Sequence, residues 1–268
     1  MIDSISQPRR VTSAIMLMVL LLGLASLARA QDKRTILAVL AHPDDESSVG
    51  PALAKYAAEG HEVHLALLTS GQAGSGNTDI PHGPELGLAR EAEARCSARA
   101  LGVHEPLLLG FQDGATTLQR TQDEIARRLV EVFDKVQPDV VITWGPDGLT
   151  GHPDHRVASN LATQVFQNPT GRANPSKLYY VAWPAKLAQN GMHAVSEHYI
   201  TTTIDAGAHA DRAAAAIRCH KTQWSPDRMD QMIGMGAKVL EWKVRLRLVL
   251  SDSSKPADED DILAGLGR

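Results

Sequence analysis

Residues Thr35 to Glu46 read TILAVLAHPDDE, an uncharged apolar run that stops at a His-Pro-Asp-Asp-Glu cluster. A strand that is apolar on every position is covered on both faces, the condition met in a parallel sheet flanked by helices. Downstream, short apolar runs alternate with helical stretches. Val49–Glu59 has helical composition and is closed by Gly60, and Val63–Leu68 is a second strand. Pro84–Leu101 is a helix closed by Gly102, and Pro106–Leu109 is a short strand. Thr121–Val136 carries Ile125, Leu129, Val132 and Val136 on one helical face, and Val140–Trp144 is a further strand. With right-handed crossovers this is an α/β chain with a Rossmann-like, doubly wound, mostly parallel sheet and helices on both faces. Beyond Arg156 the pattern weakens. Leu178–Trp183 and Glu197–Ile204 read as strands, and Ala206–Lys221 and Met229–Val249 as helices.

Both ends of the chain lie outside this pattern. Arg9 and Arg10, the apolar run Ala14–Leu27 and the small-x-small sequence Ala28-Arg29-Ala30 have the layout of a secretory signal. The run falls short of the roughly 20 residues that a membrane span needs. Residues 1–30 are therefore assigned to a signal peptide, 31–250 to one catalytic-type domain and 251–268 to a mobile acidic tail. The expected location is outside the cytoplasm, periplasmic or secreted, with no membrane span after cleavage. The export route is left open.

The 268 residues carry a formal charge of −4, and the leader removes three arginines against one aspartate. That balance argues against nucleic acid as a partner. The two cysteines, Cys96 and Cys219, either pair in an oxidising compartment or serve as small buried hydrophobes.

In open parallel sheets ligands bind beyond the carboxyl ends of the strands. Two clusters fall at such ends: His42-Pro43-Asp44-Asp45-Glu46 and His152-Pro153-Asp154-His155. A catalytic zinc takes three nitrogen or oxygen ligands and keeps a further position for water. A leftover carboxylate can then accept that water's proton. The residue types do not say which aspartate or which histidine would be the ligand.

The segments AHPDDE (Ala41–Glu46) and GHPDH (Gly151–His155) resemble the PIG-L/LmbE-like zinc-dependent de-N-acetylases. The resemblance runs from about Thr35 to Gln223. It takes in TSGQAG at Thr69–Gly74, LGLAR at Leu86–Arg90, LGFQDG at Leu109–Gly114 and HKTQ at His220–Gln223. It implies a hydrolase that removes the acetyl group from an N-acetylated amino sugar or glycoconjugate of the N-acetylglucosamine type. By position, His42, Asp45 and His155 match the zinc ligands, Asp44 the general base and His152 the oxyanion-stabilising or proton-donating histidine. Asp154 matches the residue that orients His152, and Arg90 and Asp113 match substrate-contacting positions. Glu46, His220 and Gln223 are candidates to support or line the site. Other divalent transition metals suit the same donors.

The remaining histidines, His64 and His104 among them, show no partner pattern. Asn168–His198 matches no family segment, so substrate choice is expected there. Two alternatives share the clusters: a metal-dependent amidase on another amide such as a thiol conjugate, and a non-catalytic carbohydrate-binding protein on the same scaffold. No GxGxxG follows the first strand, which argues against a dinucleotide site.

Overall fold

The computed structural model describes residues 33–74, 76–167, 171–188, 192–252 and 260–266. The segment read as a signal peptide lies outside them. Strand β1 (Thr35–Leu40) is the apolar run before the first cluster, and Ile36 to Leu40 are all fully buried. It pairs in parallel with β2 (Glu62–Thr69) on one side and β4 (Val140–Thr143) on the other, with Ile36 opposite Val63 and Val140. β3 (Leu107–Phe111) and β5 (Lys177–Val181) extend the parallel region outward. Two further strands, β6 (Thr202–Asp205) and β7 (Lys243–Ser251), complete a seven-stranded sheet ordered β3-β2-β1-β4-β5-β7-β6. β7 runs antiparallel to both β5 and β6. The order reverses between β1 and β4, and the crevice at such a switch point is where a doubly wound sheet holds its ligand.

The helices between strands are α1 (Gly50–Ala58), α2 (Pro84–Leu101), α3 (Gln119–Val136) and α4 (Pro153–Gln167). α5 (Ala210–Ile217) and α6 (Pro226–Met235) follow. On α3 the expected apolar face is the buried one, with Ile125, Leu129 and Val132 joined by Phe133. None of the described helices is long and apolar enough to cross a membrane.

Two expectations fail in the last third. Met229–Val249 is not one helix: α6 ends at Met235, a π-turn covers Gly236–Leu240, and Glu241 and Trp242 reverse the chain at positive φ. The remainder is β7, whose start Val244-Arg245-Leu246-Arg247-Leu248 alternates with the period of a strand. The tail is also not free throughout. Ile262 is fully buried, its amide donates to the Tyr56 hydroxyl, and that hydroxyl donates to Asp261. The polar composition of the tail conceals a short apolar anchor at Ile262-Leu263.

Candidate active site

Both histidine clusters sit just beyond the carboxyl ends of β1 and β4, at the switch point. After β1 the chain passes through Ala41, His42 and Pro43 into a 3-10 turn at Asp45–Ser48. After β4, Trp144 leads to a short helical turn at Gly148–Gly151, and Pro153 opens α4. One carboxylate oxygen of Asp45 closes the first loop on itself. Its Oδ2 accepts from the amides of Ala41 (2.9 Å) and His42 (3.0 Å) and from the Trp144 indole (3.3 Å). The other oxygen, Oδ1, is 3.1 Å from Nε2 of His155.

Three donors converge there. His42 Nδ1 lies 3.3 Å from His155 Nε2 and 3.7 Å from Asp45 Oδ2. Ligand bonds of 2.0–2.2 Å in a tetrahedral zinc site require donors about 3.3 Å apart, so the two histidine nitrogens are spaced as one edge of such a site, with one Asp45 oxygen toward each of them. The opposite ring nitrogens are already engaged. His155 Nδ1 donates to the Gly148 carbonyl at 3.0 Å, and its ring stacks on Trp144. His42 Nε2 meets Asp113 Oδ1 at 3.1 Å and Asp154 Oδ2 at 3.3 Å. Each imidazole therefore turns a lone pair toward Asp45, the arrangement in which outer partners fix a ligand histidine. Two lone pairs 3.3 Å apart repel unless a cation or a proton lies between them. The field favours positive charge: burial depresses the basicity of His42, yet Asp113, Asp154 and Asp45 hold it well above the ordinary value. These residues fit a divalent metal. His42, His152 and His155 form a second close triad, as do His42, Asp113 and Asp154. In the latter the carboxylates face the outer nitrogen of His42, which suits orientation rather than ligation.

Three of the expected residues make contacts of a different kind in this geometry. The contacts of the fully buried Asp154 carboxylate go to His42 and not to His152. It accepts from the Gly114 amide (2.8 Å) and the Thr116 hydroxyl (2.5 Å) and bears on His42. Burial works to raise its carboxyl, but these partners hold it well below the usual range. Only the Asp154 amide reaches His152, donating to Nδ1 at 3.2 Å. Asp113 likewise bears on His42 and accepts from the Ala73 amide (3.1 Å). Arg90 is 3 % exposed and points inward, donating to the carbonyls of Gly71 (2.7 Å) and Pro43 (2.6 Å), with Asp44 Oδ1 3.3 Å away. The glycine loop has its explanation here: a Cβ at Gly71 or Gly74 would lie within 2.4 Å of the Arg90 guanidinium.

Asp44 occupies a strained backbone position, φ 106°, where a non-glycine residue is uncommon. Its amide donates to Oε2 of the fully buried Glu46 at 3.0 Å. Glu46 Oε1 accepts from His220 Nε2 (2.6 Å) and the Ser97 hydroxyl (2.5 Å). Burial pushes the Asp44 carboxyl up to about 7, against the pull of Arg90 and with the push of Asp45. A carboxylate poised there is matched to taking a proton near neutrality. His152 is half-buried, its ring edge-on to His42 at 4.8 Å. The Asp154 amide occupies Nδ1, so the neutral tautomer carries its proton on Nε2. Burial, then positive charge on His42 and His155, depresses its basicity.

Glu46 and His220 thus lie beneath the site, and Gln223 closes on the Gly76 backbone nearby. Trp144, Thr116 and Ser97 carried no local sequence signal: each is one polar group whose partner is set by the tertiary fold. Cys96 of α2 and Cys219, just after α5, form a disulfide with Cα atoms 5.8 Å apart. A cavity of about 590 Å³ adjoins the loops of both clusters, lined by Ser47, Leu149, Trp183, Met192, Met232 and Trp242.

The GlcNAc-PI de-N-acetylase family, PIG-L, matches at residues 37–166. A 1D-myo-inositol 2-acetamido-2-deoxy-alpha-D-glucopyranoside deacetylase of Acidothermus cellulolyticus is 31 % identical over 87 % of this chain and 95 % of its own. The protein of that name from Streptomyces griseus is 33 % identical over 72 % and 76 %. Among solved structures, an N,N'-diacetylchitobiose deacetylase from Pyrococcus horikoshii superposes with a TM-score of 0.64 at 22 % identity, covering 93 % of this chain and 95 % of that one. A 4-carboxy-2-hydroxymuconate hydratase from Pseudomonas putida also reaches 0.64, at 19 % identity over 83 % and 98 %. Likeness at that level shows the fold alone, and the fold hosts more than one reaction. The sequence relationship to the deacetylases is the stronger tie, and the chain belongs to the PIG-L family of de-N-acetylases, which are hydrolases.

Proposed function

We propose that this chain is an exported, zinc-dependent hydrolase that removes the acetyl group from an N-acetylglucosamine-type amino sugar. The observation that carries the reading is the convergence of His42 Nδ1, Asp45 and His155 Nε2, and the proposal gives Asp44 and His152 beside them roles other than ligation. Zinc held by these three residues would polarise the acetamido carbonyl and acidify a water molecule. Asp44 accepts the proton of the water that attacks the acetyl carbon. His152 donates its Nε2–H to the oxygen on which negative charge develops. Its depressed basicity suits a neutral hydrogen-bond donor better than a proton source. The proton taken by Asp44 then passes to the departing nitrogen as the C–N bond breaks, leaving acetate and a free amine. A base and an oxyanion donor in one crevice weigh against a purely sugar-binding protein, which needs neither.

The relatives act on N-acetylated amino sugars by name, which supports the substrate class. The apolar cavity leaves room for the part of the substrate beyond the acetamido group, and Trp183 and Met192 bring residues from the segment without a family signature to its wall. Export is supported by the leader sequence and by a disulfide, which persists in oxidising compartments.

Metal analysis of the purified chain, paired with acetate release from a panel of N-acetylated sugars, tests the proposal. The expected result is zinc-dependent release that a chelator abolishes. Bound zinc with no release from any acetamido sugar would redirect the reading to another amide. N-terminal sequencing of the chain from its host tests export, and an intact leader on a cytoplasmic protein would overturn it.

A further inference from the structure

We propose a second, surface-exposed site for a divalent transition metal, zinc above all, formed by Glu62, His64 and His104 at the end of the sheet opposite the catalytic crevice. Glu62 and His64 stand two residues apart at the start of β2, so their side chains share one face of the sheet. His104 lies in the connection between α2 and β3, and its amide donates to the Val63 carbonyl at 3.0 Å. That bond seats it beside β2 where a neighbouring strand residue would stand. One strand supplying two side chains and the adjoining connection a third is a tripod. The candidate ligand atoms of all three residues lie within 4.8 Å of one another. His104 Nε2 touches Glu62 Oε2, and the His64 and His104 rings stack at 4.2 Å.

Two imidazoles and a carboxylate are a zinc donor set, and three protein ligands leave a further position for water. The group is open to solvent, with the His104 side chain half exposed and that of Glu62 at 30 %. Stacked rings aim their lone pairs side by side, so binding turns the exposed His104 ring about its Cβ–Cγ bond. The positive charge of Lys135, on α3, acts on His64 and should make this site weaker than the crevice. From Thr35, which pairs with Glu62, to His42 the chain advances about 20 Å, so the two metals would not share ligands.

The test uses zinc itself. The full mature chain is dialysed against rising free zinc and its metal content counted, alongside His155→Ala, His104→Gln and the double variant His64→Ala/His104→Ala. The wild type is expected to take up a second, weaker equivalent. His104→Gln and the double variant should lose that equivalent and keep acetate release. His155→Ala should keep it, so the result does not depend on the catalytic reading. Thermal midpoints supply a separate readout: zinc should raise that of His155→Ala, and the rise should vanish when His104→Gln is added. Equal uptake by the wild type and the double variant at every zinc concentration would overturn the site. Undiminished second uptake in Glu62→Gln would overturn the tripod.

Discussion

Glu46 Oε1 and His220 Nε2 meet at 2.6 Å in the interior, and the other oxygen of the same carboxylate holds the amide of Asp44. A buried ion pair, 174 residues apart in sequence, thus sets the backbone of the proposed base. Removing one partner of such a pair costs roughly 3–5 kcal/mol, because the other is left charged and unpaired. Glu46→Ala is expected to lose about that much stability. Glu46→Gln, which keeps the shape, should fold and lower kcat with little change in KM. A fall in KM alone, at full kcat, would remove Glu46 as a positioning residue.

The same pair gives stability a pH window. Burial opposes ionisation of both groups, but each partner outweighs it: Glu46 is held below its ordinary 4.5 and His220 above 6.5. A lowered carboxyl contributes stability above its unfolded value and loses it as pH falls through the folded one. A raised imidazole contributes below its unfolded value and loses it as pH rises through the folded one. Both contributions are complete between about 4.5 and 6.5. Thermal midpoints should plateau there for the wild type and not for His220→Gln. Parallel curves would show that the pair does not govern the profile.

Asp44 should set the acid limb of catalysis. With its carboxyl pushed up by burial to about 7, kcat/KM should fall as pH drops below that value. Asp44→Asn should retain metal and lose turnover by roughly 100- to 10,000-fold. Arg90 pulls the carboxyl down, so Arg90→Gln should move the acid limb to higher pH, and Arg90→Lys should move it less. A limb that stays in place in Arg90→Gln would mean that Asp44 is not the titrating group.

The contacts of Asp154 separate two roles by measurement. If its carboxylate orients His42, Asp154→Asn should weaken zinc binding by roughly 10- to 100-fold. Thr116→Val, which removes one donor to the same carboxylate, should do so to a smaller degree. Competition with a chelating dye reads both. Unchanged affinity with reduced turnover would instead favour action through His152.

The parallel sheet is legible in the sequence because each of its strands is a short apolar run between helices, and the first run ends directly in the HPDDE cluster. The two clusters are legible because their residue types have few other uses at two strand ends. What stays hidden depends on partners far along the chain. Nothing near Arg90 says that it packs beneath Gly71, nor near Asp154 that His42 lies across the switch point. β7 is obscured because no proline separates it from α6. The chain reversal instead falls on Glu241 and Trp242, both at positive φ, a conformation that neither residue type announces.

Cys96 and Cys219 close a loop of 123 residues, and a crosslink of that span restricts the unfolded chain by about 5 kcal/mol in the loop-entropy account. Replacing both by serine should lower the thermal midpoint by roughly 10 °C or more. Cys219 immediately precedes His220, so the change should also narrow the pH plateau assigned to the Glu46–His220 pair. Thiol alkylation of the chain as its host makes it joins this point to location. In an oxidising compartment neither cysteine should react until a reductant is added. Two reactive thiols in the freshly isolated native chain would argue against the crosslink, and with it against one of the two supports for export.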